Sequence, residues 1–398
     1  MNVAVVGAGP AGLIAAEILS AAGHAVTVYE RMPSPARKFL MAGRGGLNLT
    51  HSEPFESFLT RYGNSASKLK PMLEAFPPSA LIDWANGLGQ ESFIGSSGRV
   101  FPKAMKASPL LRAWLQRLSA QGVRLETRHD WRGWNDAGDL QFRNVAGETV
   151  SVRADATVLA LGGASWPRLG SDGSWVDILR KDGVAIAPLA PANCGVNHAW
   201  SDVFRVRHAG EPLKNIALSA GDVQARGEAI VTDYGLEGGA IYALGAALRG
   251  GNTKLVIDLR PDMSEAEIAA RIAKVPRAQS VTNVLRKALH LAPVAVGLLR
   301  EAHGVSLPAD PPALAHLVKH AAVTVTGSQP MARAISTAGG VPFDELDGAL
   351  MLKKRSGVHV VGEMLDWEAP TGGYLLQASF ATGAYAAREI LARAPSTR

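Results

Sequence analysis

Cysteine is almost missing from this sequence: Cys194 is the only one in 398 residues. No intrachain disulfide can form, a cysteine-based metal cluster is excluded, and a reducing cytoplasm is the expected setting. Long apolar runs are missing too. The best candidate, residues 3–22, is broken by Gly7, Gly9, Pro10, Gly12 and Glu17, with no cluster of positive charge before it. It reads as neither a membrane span nor a signal peptide. None of the histidines falls in an H-E-x-x-H run or another recognisable ligand spacing, so no metal is expected. Internal repeats and low-complexity tracts are absent, and charged residues make up only 19% against 47% hydrophobic. With 42 Gly and 23 Pro, that is the composition of a globular α/β protein rich in turns. At about 100 to 200 residues per domain, the length predicts two or three domains.

Acids are unevenly spread. Lys plus Arg total 41 and Asp plus Glu 35, a formal charge of +6. No acid lies between Glu91 and Glu126, where Arg99, Lys103, Lys106, Arg112, Arg117 and Arg124 fall. A second gap, Glu267 to Glu301, holds Arg271, Lys274, Arg277, Arg286, Lys287 and Arg300; a third, Glu30 to Glu53, holds Arg31, Arg37, Lys38 and Arg44. Such stretches suit a polyanion.

The chain opens as strand, tight turn, helix, strand over residues 3–6, 7–12, 13–22 and 25–29. Helices are predicted over 68–76, 79–86 and 109–121, a hairpin over 140–143 and 149–152 around Gly147, and a buried strand over 156–161. From about Pro191 to Leu259 short alternating strands take over. Helical spacing returns from Ser264 to Val318, with Ser264 and Glu267 placed as a capping box. A strand at 358–361 and a helix at 374–392 then complete the first domain. The expected fold class is α/β. A discontinuous Rossmann-type domain (1–190 and 336–398) is interrupted by a β-rich insert (191–260 and 319–335), which carries a helical module (261–318).

The strongest motif is Val5-Val6-Gly7-Ala8-Gly9-Pro10-Ala11-Gly12, a G-x-G-x-x-G turn between strand and helix. Gly7 permits the sharp turn, Gly9 lets backbone approach a diphosphate, and Gly12 lets helix and strand pack closely. Free N–H groups at the helix start, including those of Ala11 and Gly12, face the phosphates. Glu30 follows Gly7 by 23 positions, at a strand end where a carboxylate accepts from ribose hydroxyls. NAD and FAD both satisfy this fingerprint. Residues 356–377 favour FAD: a strand ends at Gly362-Glu363, and a Gly-rich entry leads into a helix near Tyr374. There Glu363 can meet the ribityl hydroxyls, while the helix start points at the flavin ring, whose reduced form carries negative charge. No second G-x-G-x-x-G turn appears in residues 150–350, so no dedicated nicotinamide domain is indicated.

Together these segments resemble the BaiN-like, or YhiN-type, flavoprotein family of NAD(P)/FAD-dependent oxidoreductases. The resemblance rests on Gly7 to Gly12, Lys38-Phe39-Leu40, Gly43 to Thr50, Gly98 to Pro102 and Leu161 to Ser165. It continues through Thr337 to Val341, Gly362 to Asp366 and Gly372 to Gln377, so it spans nearly the whole chain. One departure is visible: the family often has an Arg-Cys-Asn-Leu-Thr run where this chain has Gly46-Leu47-Asn48-Leu49-Thr50, so cysteine chemistry there does not transfer. The resemblance implies that the insert at 191–260 and 319–335 is β-barrel-like, and that FAD is reduced transiently by NAD(P)H. It also implies a substrate that is either uridine in ribosomal RNA, reduced to dihydrouridine, or a steroid-like small molecule with a reducible C=C bond. It lays the loop carrying Arg44, Gly45, Gly46, Asn48 and Thr50 over the diphosphate and flavin. Arg31, Lys38, Gly162, Gly163, Asp366, Gly373, Leu375 and Leu376 complete the candidate cofactor set with Pro10 and the groups above.

For catalysis, Arg99 is a candidate for substrate phosphate or flavin, as is Lys103, with a solvated face as the plain alternative. Asp233 and Tyr234 are candidates to protonate a substrate carbon after hydride delivery, against an ordinary turn Asp and packing Tyr. Cys194 is read as a small buried hydrophobe rather than a proton donor. A non-catalytic flavin-binding redox sensor, and a nucleic-acid-binding module without redox work, remain as alternatives.

Overall fold

The computed structural model describes residues 1–394 except Arg44 and Arg277. The chain forms two compact units, Met1–Ala190 with Ser336–Arg398, and Pro191–Ile335. Among the described residues no helix is long and apolar enough to cross a membrane.

In the first unit a five-stranded sheet runs in the order Val358–Val360, Ala156–Leu159, Asn2–Val6, Ala25–Glu30, Arg124–Thr127. Every pairing is parallel, with Val5 opposite Val28 on one side and Val158 on the other. Val3 to Val6 and Ala156 to Leu159 are buried throughout, as parallel strands covered on both faces must be. The first helix, Pro10–Ala21, starts earlier than the apolar periodicity suggests. Pro10 occupies its first turn, where a missing N–H costs nothing. It packs along the C-terminal helix, Tyr374–Arg393, at very close range: a Cβ on Gly383 would stand 2.2 Å from the carbonyl oxygen of Ala11.

The helix Ala107–Ala120 covers the same layer. Its Trp114 donates to the buried carboxylate of Glu17 (2.6 Å), which also takes Trp84 (3.0 Å) and Arg117 (2.9 Å). The predicted hairpin Leu140–Arg143 and Thr149–Val152 forms, pairing Leu140 with Val152 and Arg143 with Thr149 around a turn that contains Gly147, and Asp130–Trp134 adds a third strand. The strand predicted to reach Leu161 stops at Leu159. Just beyond it Ala160 packs against the Gly7 turn: a Cβ on Gly7 would lie 2.3 Å from the Ala160 oxygen.

The second unit is built on a seven-stranded antiparallel sheet. Its order is Ala321–Thr324, Lys254–Asp258, Pro212–Ala220, Val223–Val231, Gly235–Glu237, Val196–Asn197, Gly327–Ser328. The two outermost strands are separated in sequence only by Val325 and Thr326. A sheet whose ends are tied so closely must curl on itself, which makes the architecture barrel-like. Four helices, Glu265–Ala273, Val281–Leu289, Pro293–His303 and Pro311–Lys319, bury Ile268, Leu285, Leu298 and Leu314 against its core. The Ser264–Glu267 capping box forms.

Candidate cofactor site

Gly7 takes φ +106°, a conformation strained for any side chain, and its N–H donates to the Tyr29 oxygen at 2.8 Å. Gly12 could carry no Cβ, which would stand 2.1 Å from the Gly7 oxygen, whereas a Cβ on Gly9 would meet open space. The helix that follows has neither a side-chain cap nor an acid in its first turn, so its leading N–H groups and positive dipole end are available to an anion. Glu30 closes the turn from the next strand: Oε2 accepts from Ala8 N–H (3.0 Å) and Oε1 from Met32 N–H (2.8 Å). Burial raises its pKa above the ordinary carboxyl value, and those two amides with Arg31 and Arg37 only partly offset it.

A cleft enclosing about 990 Å³, part of it open solvent, runs past Gly9, Glu30, Lys38, Gly162 and Glu363. Lys38 Nζ reaches both Glu363 Oε2 (2.7 Å) and Ser165 Oγ (2.5 Å). Glu363 also accepts from Gly163 N–H (3.3 Å) and, through Oε1, from Thr337 N–H (3.0 Å). Arg31 pairs with Asp172 at 2.7 Å. Ser171, on the cleft wall, has a buried hydroxyl with no hydrogen-bond partner among the described residues.

The C-terminal helix supplies a second bare N-terminus. Gly373, at φ +99°, sits where a Cβ would lie 2.5 Å from Thr50 Cα, and the first turn holds no acid and no side-chain cap. Buried Thr50 Oγ1 and Asn48 Oδ1 beside it have no partner among the described residues. Leu375 and Leu376 are half-buried. Tyr374 is fixed from several sides: its hydroxyl donates to Glu53 (2.5 Å), its carbonyl accepts from Tyr62 (2.8 Å), and its ring stacks on His51. Burial works against the Glu53 charge, but hydrogen bonds from Arg61 (2.6 and 3.1 Å) and Tyr374 prevail and hold its carboxyl below the ordinary value. Arg99 lies against the same tip, its Nε 3.9 Å from a Cβ built on Gly372. Asp366, near the tip in sequence, keeps its proton more readily than usual because it is buried and faces Glu368.

Two uncapped helix starts, an acid at the strand end, and buried polar atoms without partners are what a flavin dinucleotide requires of a protein. The residues present fit that group. Arg44, expected over the diphosphate, lies outside the described residues, as does Arg277. Glu53, Arg61, Tyr62 and Ser171 escaped the sequence reading, since nothing in their spacing marks them. Thr337 was visible only as part of the T-A-G-G-V motif.

The candidate catalytic residues are divided between the units. Arg99 belongs to the first. Asp233 and Tyr234 stand in the second, in the turn between Val223–Val231 and Gly235–Glu237, with Asp233 exposed. The Tyr234 hydroxyl donates to Glu237 at 2.5 Å, and burial together with that carboxylate raises its pKa strongly. The Cys194 thiol is buried and pushed up by desolvation, which keeps it neutral. Tertiary structure also brings acids to two of the cations in the first acid-free stretch: Lys103 pairs with Glu91 and Arg117 with Glu17. Lys106, Arg112 and Arg124 remain exposed. His316 and His320 do stand one helical turn apart, and the fold brings Glu265 between them. A sequence search for H-E-x-x-H cannot see a carboxylate supplied from another helix.

Residues 1–389 match the family described as HI0933-like protein Rossmann domain. The chain belongs to this family. Among HI0933-like relatives, a 3-dehydro-bile acid delta(4,6)-reductase of Clostridium scindens is 26% identical, over 98% of this chain and 99% of its own. A ribosomal RNA dihydrouridine synthase of Escherichia coli is 24% identical, over 98% and 97%. Of solved structures, a 3-ketosteroid delta1-dehydrogenase from Sterolibacterium denitrificans aligns with TM-score 0.52 at 13% identity, covering 98% of this chain and 99% of that one. A flavocytochrome c3 fumarate reductase also aligns at TM-score 0.52, with 16% identity over 98% and 78%. This HI0933-like protein shares its fold with both structures.

Proposed function

We propose that this chain is a cytoplasmic FAD enzyme that takes hydride from NAD(P)H and saturates a carbon–carbon double bond made electron-poor by a neighbouring carbonyl. The observation carrying the proposal is the pair of bare helix N-termini in one unit, one behind Gly9 and one behind Gly373. FAD bound there supplies the hydride chemistry. The amides after Gly9 hold its diphosphate, Glu30 its ribose hydroxyls and Glu363 its ribityl chain. The amides of Tyr374, Leu375 and Leu376, at the uncapped helix start, would stabilise negative charge on the reduced ring. Arg99, which lies against the same helix tip, would orient the substrate there.

The names of the two curated relatives share this chemistry, since each describes a double bond removed from a conjugated ring. Uridine in ribosomal RNA is the substrate we favour, on the exposed cations Lys106, Arg112 and Arg124. A specific observation supports a steroid-like enone instead: Phe93, Ile94 and Met105 are exposed apolar side chains on and beside the small sheet that carries Arg99.

The test is anaerobic stopped-flow mixing of the flavin-loaded protein with NADH or NADPH, followed by reoxidation with a 3-keto-4-ene steroid. Dihydrouridine is assayed in parallel in ribosomal RNA from a deletion strain. Bleaching by reduced nicotinamide supports catalysis, and its failure returns the protein to a sensor role. Unchanged dihydrouridine rejects the RNA substrate.

A further inference from the structure

Glu265, the first residue of the helix Glu265–Ala273, meets two histidines from another helix of the second unit. His316 lies in the last turn of Pro311–Lys319, and His320 is the residue that ends it. His316 Nδ1 is 3.3 Å from Glu265 Oε1, and His320 Nε2 is 2.9 Å from the same oxygen. The two rings face each other at 4.5 Å between centroids, and the three donor atoms all lie within 4.8 Å of one another.

From this geometry we propose that Glu265, His316 and His320 form a binding site for one divalent transition-metal ion of the zinc class. A tetrahedral ion with bonds of about 2.0–2.1 Å holds its ligand atoms roughly 3.3 Å apart. The His316–Glu265 separation already has that value, and His320 is a few tenths of an ångström closer than it, while the two imidazole donor atoms lie within 4.8 Å of each other, a gap that side-chain rotation can close on an ion. Two imidazole nitrogens and one carboxylate oxygen select zinc, cobalt, nickel or copper over magnesium and calcium, which need more oxygen ligands. The fourth position faces solvent, since the three side chains are 45%, 61% and 50% exposed. The histidines sit at the C-terminal end of their helix, where the dipole favours a cation. Lys319, lying between them, does not fill that place: its Nζ is bound to Asp258 at 2.6 Å and to the carbonyls of Arg260 and Met263. A bound ion would clamp two helices that already pack through Ile268, Ile272, Leu314 and Val318. The proposal does not depend on the reaction assigned to the flavin site.

The test uses the untagged, flavin-loaded full chain, stripped with chelator and titrated with zinc chloride by calorimetry and with cobalt chloride by visible absorption. One ion per chain is expected, with no competition from millimolar magnesium or calcium. Affinity should fall by about tenfold or more in His316→Ala and again in His320→Ala. Zinc should raise the unfolding midpoint of the parent chain and leave that of the double variant unmoved. Glu265→Gln, which preserves shape, provides the same comparison should the double variant fold poorly. Absence of saturable binding, or equal binding in the histidine variants, overturns the proposal.

Discussion

Lys38 Nζ stands 2.7 Å from Oε2 of Glu363, across 325 positions of sequence. The contact ties the segment after the second strand to the end of the last strand of the parallel sheet, and so joins the two sequence halves of the flavin-binding unit. Glu363 gathers Lys38, Gly163 N–H and Thr337 N–H on one carboxylate, which fixes the group proposed to receive the ribityl chain.

Glu363→Ala removes the acceptor of all three donors. It is expected to destabilise the apoprotein by about 1–3 kcal/mol, the cost of leaving buried donors unpaired. FAD affinity should fall with it. Lys38→Met should cost less in stability, because the lysine end of the pair is the more exposed (30% against 15%). Urea unfolding and flavin fluorescence titration check both, and equal costs for the two variants would refute the hub role of Glu363.

Gly9 and Gly373 separate binding from folding. Gly9 has φ −84° and open space around its missing Cβ, so Gly9→Ala should leave stability within about 1 kcal/mol of the parent while blocking the diphosphate's approach. Gly373→Ala forces a Cβ to 2.5 Å from Thr50 at φ +99° and should cost about 1–3 kcal/mol or more. Thermal unfolding of the apoproteins beside FAD titration reads the contrast.

The raised pKa of Glu30 sets a pH dependence. Its proton is bound more tightly in the folded apoprotein than in the unfolded chain. The stability it lends is therefore full below the ordinary carboxyl pKa and declines as pH rises through the raised value. Over that same window FAD affinity should climb, because the ionised carboxylate is the better acceptor for ribose hydroxyls. In Glu30→Gln both slopes should vanish from pH-resolved urea midpoints and dissociation constants.

Glu53 has the opposite sign. Held below its ordinary pKa, it contributes stability that is present above the unfolded value and is lost as pH falls through the lowered one. Tyr374→Phe removes one of the hydrogen bonds that lower it and should start the acid loss at higher pH. Acid unfolding followed by circular dichroism reads the shift, and superimposable curves for parent and variant would exclude Tyr374 as a support of that charge.

What the sequence by itself determined is local. The turn Gly7 to Gly12, the Gly147 hairpin, the Ser264 capping box and the helix starting at Tyr374 follow from neighbours within a few positions. Steric rules for glycine and proline and the periods of strand and helix act at that range, so family and fold class could be read before any coordinates. Only the tertiary structure decided which distant groups share a proton or a charge. It set Glu363 against Lys38, Glu53 against Tyr374, Trp114 over Glu17, and Glu265 between two histidines, and it supplied acids to cations that had none nearby in sequence. Coulombic and hydrogen-bonding partners are chosen by distance in space, and packing alone sets that distance.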